Sequence, residues 1–401
     1  MSLSRRALFR TLAGGGQKPV PSMIAARGWE ALQAEYNYTG VNLSMLEQMP
    51  VDRIQISSNE NPYGPGPSAM RGIEGQLDQA GRYVFNARTS IFDLIGALAK
   101  YSGTMPENVL TAAGSGELLV SAVRAFTSPD RALVTGNPSY GQPLGTAEAI
   151  GSEIKQIPLD ANLKLDLDRM ADAAKGAGMV FFCNPNNPTA TIHSASDVRT
   201  FVNQVHKVSP TTVFLLDEAY SDYVTDPSYA AAFPLLKENP RVVVARTFSK
   251  AYGMAGLRCG YVVASKQLID TMRAYTSGLF AANNLVVAGA VASLNDPDHI
   301  TREVARNSEV RKFTMDFFSK AGFEASDSQT NFIFVNLQRT AKSFRDACAQ
   351  HNVYVGRDFP PLEKTHARIS IGTMDEMKRA VEVFAEVLGT STSMSSSGGQ
   401  Q

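Results

Sequence analysis

The sequence predicts an α/β fold: a large domain with a mostly parallel sheet covered by helices, joined to a smaller α+β domain. Three observations carry this expectation. Between residues 100 and 290, short β-branched or apolar runs alternate with helix-like stretches, the pattern of buried parallel strands joined by crossover helices. After about residue 290 the character changes, and a long charged helical stretch precedes a few strands and a last helix. At 401 residues the chain also exceeds what one hydrophobic core ordinarily organises, so two lobes are expected.

Residues 1–22 read as an N-terminal extension. Its segment SRRALFR, Ser4 to Arg10, resembles a twin-arginine export signal. The apolar stretch that follows, TLAGGG, is shorter than the roughly 7–15 residues of a signal core. An export signal and a plain basic extension both remain open, and with them a periplasmic or a cytoplasmic location. Residues 23–80, with NENPYGPGP among them, are expected to wrap between the lobes and to count with the small domain. Residues 81–290 form the large domain, with NVLTAA, RALVTG, MVFFC, TVFLLD, RVVVAR and YVVAS as strands and ELLVSAVRAF as a helix after the first. Residues 291–389 complete the small domain: the helix DHITREVARNSEVRKFTMDFFSKAG, the strands NFIFVNL and HARISIG, and the closing helix MDEMKRAVEVFAEVLG. Residues 390–401 are a polar, low-complexity tail with nothing to bury.

Composition excludes several functions. Lys plus Arg equals Asp plus Glu at 38 each, so no bulk field attracts nucleic acid or acidic lipid. No apolar run is long enough for a transmembrane helix. Cys183, Cys259 and Cys348 are odd in number and widely spaced, giving neither a disulfide framework nor a metal-ligand pattern; no metal is expected, and buried thiols are.

Parallel sheets bind ligands at the carboxyl ends of their strands. Those ends read AGSGE, GNPSYG, CNPNNPT, LDEAY and RTFSK, small and polar on nearly every strand. Lys250 sits among small and apolar residues with Arg258 eight positions on, a setting that lowers an amine's pKa towards a reactive value. Asp217 closes an apolar strand, either as a cap for the next turn or as a carboxylate facing a positive centre. In CNPNNPT two prolines fix the backbone that aims the Asn187 amide, although Asn-Pro pairs are also ordinary turn chemistry. Ser115, Gly116 and Glu117 open a helix after a tight turn, where free N–H groups hold a phosphate. The ring of Tyr140 is able to stack on a flat heteroaromatic or to serve as a turn tyrosine.

Together these residues describe one ligand, pyridoxal 5'-phosphate. Its aldehyde would form a Schiff base with Lys250, and Asp217 would keep the ring nitrogen protonated. Asn187 and Tyr220 would hydrogen-bond the ring's phenolic oxygen. Thr247, Ser249, Arg258 and the Ser115–Glu117 turn would surround the phosphate. Lys250, Asp217 and Tyr220 are the expected catalytic residues.

SSNENPYG, NPNNPT, DEAY, SKAYGMAGLRCGY and RISIGTMDEM, in this order from Ser57 onward, resemble the fold type I pyridoxal-phosphate aminotransferases, the aspartate aminotransferase-like group. The resemblance is closest to the histidinol-phosphate aminotransferase family and covers nearly the whole folded chain. It implies a homodimer with shared active sites, in which Tyr83 reaches the neighbouring subunit's phosphate group. It also implies that Arg368 binds the substrate α-carboxylate, that Asn331 and Asn61 line the substrate site, and that Lys250 shuttles the Cα proton. Two departures stand out. Ala190 replaces a glycine after NPNNPT, and Phe280 stands where the family carries a phosphate-binding tyrosine. Arg357 is retained, either to meet an acidic substrate group or in a structural salt bridge.

The function this implies is transfer of an amino group between an L-amino acid or related amine and a 2-oxo acid. Histidinol-phosphate transamination proper is an alternative. So is a lyase, decarboxylase or epimerase on the same fold, because reaction type depends on which Cα bond stands perpendicular to the ring. A non-enzymatic ligand-sensing module fits least, given intact Lys250, Asp217 and Arg258.

Overall fold

A computed structural model describes residues 52–390. The arginine pair, the rest of the N-terminal extension and the polar tail from residue 391 lie outside the described residues. The chain opens with β1 (Ile54–Ile56), α1 (Pro67–Glu74), α2 (Ile91–Ser102) and β2 (Val109–Ala112). Next come α3 (Ser115–Phe126), β3 (Leu133–Asn137), α4 (Gln142–Ala149), β4 (Ile154–Pro158), α5 (Leu167–Ala173) and β5 (Met179–Cys183). They are followed by α6 (Ala195–Val208), β6 (Val213–Asp217), α7 (Leu235–Glu238), β7 (Val242–Thr247) and β8 (Gly260–Ala264). The C-terminal part holds α8 (Lys266–Arg273), α9 (Asn284–Leu294), α10 (Pro297–Lys320), β9 (Glu324–Ala325) and β10 (Phe332–Asn336). It ends with α11 (Ala341–Gln350), β11 (Val353–Val355), β12 (His366–Ser370) and α12 (Met374–Leu388).

Seven strands form the main sheet in the order β2-β8-β7-β6-β5-β3-β4. All share one direction except β8, which runs antiparallel to both β2 and β7. The six strands expected from apolar runs are all present. β4 is the addition: its IKQIP sequence lies half-exposed at the sheet edge, where no continuous apolar run is needed.

Strand alternation builds the core on both faces. Phe181, Leu215, Val243 and Val262 pack under Leu118, Leu119 and Val123 of α3. Val180, Phe182, Phe214, Leu216 and Val244 point the other way, against Phe201, Val202 and Val205 of α6. Each such side chain contributes about 1.5–3 kcal/mol through burial, which anchors the strand ends where polar groups must be held. The helices start on local signals. Ser194 with Asp197 and Thr373 with Glu376 form capping boxes at α6 and α12.

A second core gathers Phe344, Phe384, Ile333 and Val335 around the antiparallel sheet β12-β10-β9. Ile54 and Ile56 join this core, because β1 pairs in parallel with β11. That pairing fixes the start of the SSNENPYG segment. From there Asn61 reaches back to Ala251, beside Lys250.

Candidate active site

Asp217, at the end of β6, is 3% exposed. Its Oδ1 accepts the Ala219 N–H at 3.2 Å, and the Cys183 thiol lies 4.0 Å from Oδ2. Burial pushes its carboxyl up to about 7, against the pull of the Ala219 N–H and of Lys250. The turn after it is pinned from below: buried Arg246 of β7 pairs with Asp222 at 2.7 Å and faces Glu218 at 3.9 Å.

Lys250 follows β7, and its Nζ donates to the carbonyls of Asn59 at 3.1 Å and Ser58 at 3.3 Å. Burial brings its ammonium down to about 8, helped by the nearby Arg368 cation. The amine also lies 5.5 Å from the centroid of the Tyr220 ring. The Tyr220 hydroxyl oxygen accepts from Asn187 Nδ2 at 3.4 Å and from Asn59 Nδ2 at 3.0 Å.

A cradle of polar groups lies at the start of α3, whose N-terminus has no side-chain cap. Arg258 donates to Ser249 Oγ at 3.3 Å and approaches the Ala113 carbonyl at 3.5 Å. The Thr247 hydroxyl donates to Ser249 Oγ at 3.0 Å. Glycine is required here: a Cβ on Gly114, whose φ is +92°, would sit 2.1 Å from Arg258 Nη2. A Cβ on Gly260 would sit 2.2 Å from the Ser115 nitrogen. Tyr140 borders the cradle through Gln142, accepting partner of its hydroxyl at 3.2 Å, while a Cβ on Gly116 would meet the same Gln142 side chain.

Arg368, on β12, is 7% exposed. Its Nη1 donates to Asn187 Oδ1 at 2.8 Å and its Nη2 to the Ser57 carbonyl at 2.5 Å, while buried Nε has no hydrogen-bond partner. Burial brings its guanidinium down to about 10. Arg357 and Arg368 lie 4.4 and 4.7 Å from the centre of one ring, Phe359. Among the described residues neither arginine pairs with a carboxylate. Asp358, the nearest acid in sequence to Arg357, pairs instead with Arg345 at 2.5 Å. The structural salt bridge considered for Arg357 is therefore not made.

Three of the expected site residues have protein partners of their own in this geometry. Asn61, expected against substrate, spends its amide on the Ala251 carbonyl at 3.1 Å, on Glu303 at 3.2 Å and on the Tyr63 N–H at 3.0 Å. It ties the lysine loop to α10. Asn331 likewise holds backbone, donating to the carbonyls of Asn59 at 3.0 Å and Glu60 at 3.3 Å. The Glu117 carboxylate, expected at the cofactor, turns back to accept the N–H groups of Ala113 at 3.2 Å and Ser277 at 2.7 Å. Tyr83 is 70% exposed, and the Phe280 side chain lies outside the described residues. The sequence reading missed Asn59, Gln142 and Phe359. Asn59 lies in the SSNENPYG motif, two residues before Asn61.

Residues 51–384 match the family model for aminotransferase class I and II. The chain belongs to that family. This aminotransferase is 34% identical over 387 residues to histidinol-phosphate aminotransferase 2 of Pasteurella multocida, covering 95% of this chain and 99% of the relative. It is 32% identical over 340 residues to the histidinol-phosphate aminotransferase of Symbiobacterium thermophilum, covering 84% and 91%. Among solved structures it resembles the histidinol-phosphate aminotransferase of Sinorhizobium meliloti in complex with pyridoxal-5'-phosphate. That match has a TM-score of 0.76, 27% identity and coverage of 84% of this chain and 91% of the other. The aminotransferase thus has the fold type I architecture. Among its described residues, no helix is long and apolar enough to cross a membrane, and no group of three or more His, Cys, Asp or Glu is placed to hold a metal.

Proposed function

We propose that this aminotransferase holds pyridoxal 5'-phosphate on Lys250 and moves an amino group between an L-amino acid, or a related amine, and a 2-oxo acid. The observation that carries the reading is Asp217: a carboxylate almost completely buried, with no cation hydrogen-bonded to it, at a strand end beside a lysine of lowered pKa. A protonated pyridine nitrogen supplies the missing counter-charge. The residues present fit the rest of the group. The uncapped α3 N-terminus with Ser249 and Arg258 fits a phosphate, and Asn187 with Tyr220 fits a phenolic oxygen.

When bound, the cofactor supplies an electron sink for the charge that develops at the substrate α-carbon. The protein's own groups do the remainder. With its amine near 8, Lys250 has an unprotonated fraction at neutral pH and so acts as a nucleophile. With the cofactor bound to a substrate amine, Lys250 Nζ would be the base that takes the Cα proton and the acid that returns it. In the ligand-free chain the Ser58 and Asn59 carbonyls hold this amine beside the site. Asp217 keeps its ring partner protonated. Arg368 offers the unpaired Nε and a buried positive charge to a substrate carboxylate. A carboxylate held by Arg368 weakly disfavours decarboxylation.

Histidinol phosphate is the first amine to try, since the relatives named above bear that name; it carries a phosphate in place of an α-carboxylate, and Arg368 with Arg357 across the Phe359 ring suits such a dianion. The homodimer belongs to the same reading: Leu77, Tyr83 and Phe92 are 56%, 70% and 62% exposed, large apolar side chains that a second copy would cover. The large domain at residues 81–290 belongs to the same reading, with residues 52–80 and 291–389 as the small one and residues 23–51 outside the described residues. The test is spectral. Purified protein is mixed with pyridoxal phosphate, then with a panel of amino acids and histidinol phosphate, and 2-oxoglutarate follows. Donors should convert the visible absorption to that of the aminated cofactor and 2-oxoglutarate should restore it. A protein that takes up no cofactor refutes the proposal.

A further inference from the structure

We infer that Asn59 is a positioning residue of the active site, aiming the Tyr220 hydroxyl at the ligand and tying the Lys250 amine to the strand that carries Arg368. The inference rests on the cofactor reading above. Asn59 is 1% exposed and has a φ of +56°, a left-handed conformation that asparagine and glycine tolerate best among the residues. Every polar atom of the residue is engaged. Its N–H donates to Ser370 Oγ at 2.8 Å, and its Oδ1 accepts from the same hydroxyl at 2.7 Å. Its Nδ2 donates to the Tyr220 hydroxyl oxygen at 3.0 Å. Its carbonyl accepts from Lys250 Nζ at 3.1 Å and from Asn331 Nδ2 at 3.0 Å.

The network fixes which way the amide points. Ser370 Oγ accepts the Asn59 N–H, so its own hydrogen is free to meet an acceptor, and that acceptor must be Oδ1. Nδ2 therefore faces Tyr220. The phenolic oxygen then receives two amide donors, Asn59 at 3.0 Å and Asn187 at 3.4 Å, which occupy its lone pairs. With its acceptor capacity filled, the Tyr220 O–H is left to donate, and the donation goes to the bound ligand's oxygen. Glycine at position 59 keeps the backbone conformation but loses this control. Aspartate reverses it, since a carboxylate accepts the Tyr220 hydrogen and turns it away from the ligand.

The test is the pH at which the visible absorption of the cofactor-loaded protein changes form, measured for wild type, Asn59→Gly, Asn59→Asp, Tyr220→Phe and the Asn59→Gly/Tyr220→Phe pair. Weakening a donor to the ring oxygen raises that oxygen's proton affinity and, with it, that of the adjoining nitrogen. The Asn59→Gly midpoint should therefore rise by about 0.5–1 pH unit, the size of one neutral hydrogen bond. Asn59→Asp should rise further. In the Tyr220→Phe background Asn59→Gly should add nothing, the signature of an effect that passes through Tyr220. An Asn59→Gly midpoint equal to that of wild type, or an equal rise without the Tyr220 hydroxyl, overturns the inference while leaving the cofactor reading intact. A wild-type protein that takes up no pyridoxal phosphate overturns both. Should Asn59→Asp fail to fold, Asn59→Gly decides alone.

Discussion

Replacing Asp217 by asparagine should stabilise the cofactor-free protein at neutral and alkaline pH while abolishing its use of the cofactor. The carboxyl is held at about 7 in the folded chain, against an ordinary 3.8. A raised acid pKa means the folded state favours the protonated form. The stability linked to this group is fully present below the unfolded value, is lost as pH rises through the interval, and levels off above about 7. At 1.36 kcal/mol per pH unit the loss comes to about 4 kcal/mol, an order-of-magnitude figure. Asparagine has nearly the same shape, keeps an Oδ1 for the Ala219 N–H, and carries no charge to desolvate. Thermal melts of the cofactor-free proteins at acidic pH, near 4, and at pH 8 give the comparison. The two proteins should melt together in acid, and the variant should melt higher at pH 8, by several degrees for a chain of this size. Glu218 is also raised by burial and loses stability over a similar interval in both proteins; the Asp217 charge adds to that rise, so its removal moves the difference in the same direction. With saturating pyridoxal phosphate the order should invert, because only the aspartate has a cation to pair with. A variant that melts at or below wild type at pH 8 without cofactor refutes the claim that this carboxylate is buried uncompensated.

Lys250→Ala should fold normally by circular dichroism yet give no covalently fixed cofactor after borohydride reduction, whereas wild type should yield a single labelled peptide containing residue 250; label elsewhere would sink the assignment. Arg368→Ala should raise KM for carboxylate substrates about 100-fold, the scale of a lost buried charged contact, with cofactor absorption retained. An unchanged KM in steady-state kinetics would place the carboxylate elsewhere. Gly114→Ala forces a methyl group to within 2.1 Å of Arg258 Nη2, so cofactor affinity in an absorbance titration should fall at least about tenfold. Equal affinity would mean that the phosphate does not use this cradle. Asn61→Ala removes a tether between the lysine loop and α10 and should lower stability by about 1–3 kcal/mol in urea titrations, with KM little changed. A large KM effect would return Asn61 to the substrate site.

What the sequence made legible follows from where each residue spends its interactions. The central strands are buried on both faces, so they must read as unbroken apolar runs, and their ends are where polar side chains cannot be explained by packing. Lys250, Asp217 and Arg258 stand out in the sequence for that reason. β4 does not, because an edge strand bordered by solvent carries Lys155 and Gln156 as readily as apolar residues. Side-chain direction was the other limit. Glu117 follows a glycine-rich turn and invites a ligand role, yet it closes the turn itself. Asn59 and Asn61 have the same chemistry and nearly the same neighbours in NENP. One is turned towards Tyr220 and Ser370 on a left-handed backbone, the other towards buried Ala251 and Glu303. What separates them is partners 161 and 311 residues away for Asn59, and 190 and 242 residues away for Asn61. Motif spacing encodes a site's local chemistry. The aim of each group is set by contacts that close only when β12, α10 and the lysine loop have met, and for that reason the residue that aims Tyr220 had to be found in the folded chain.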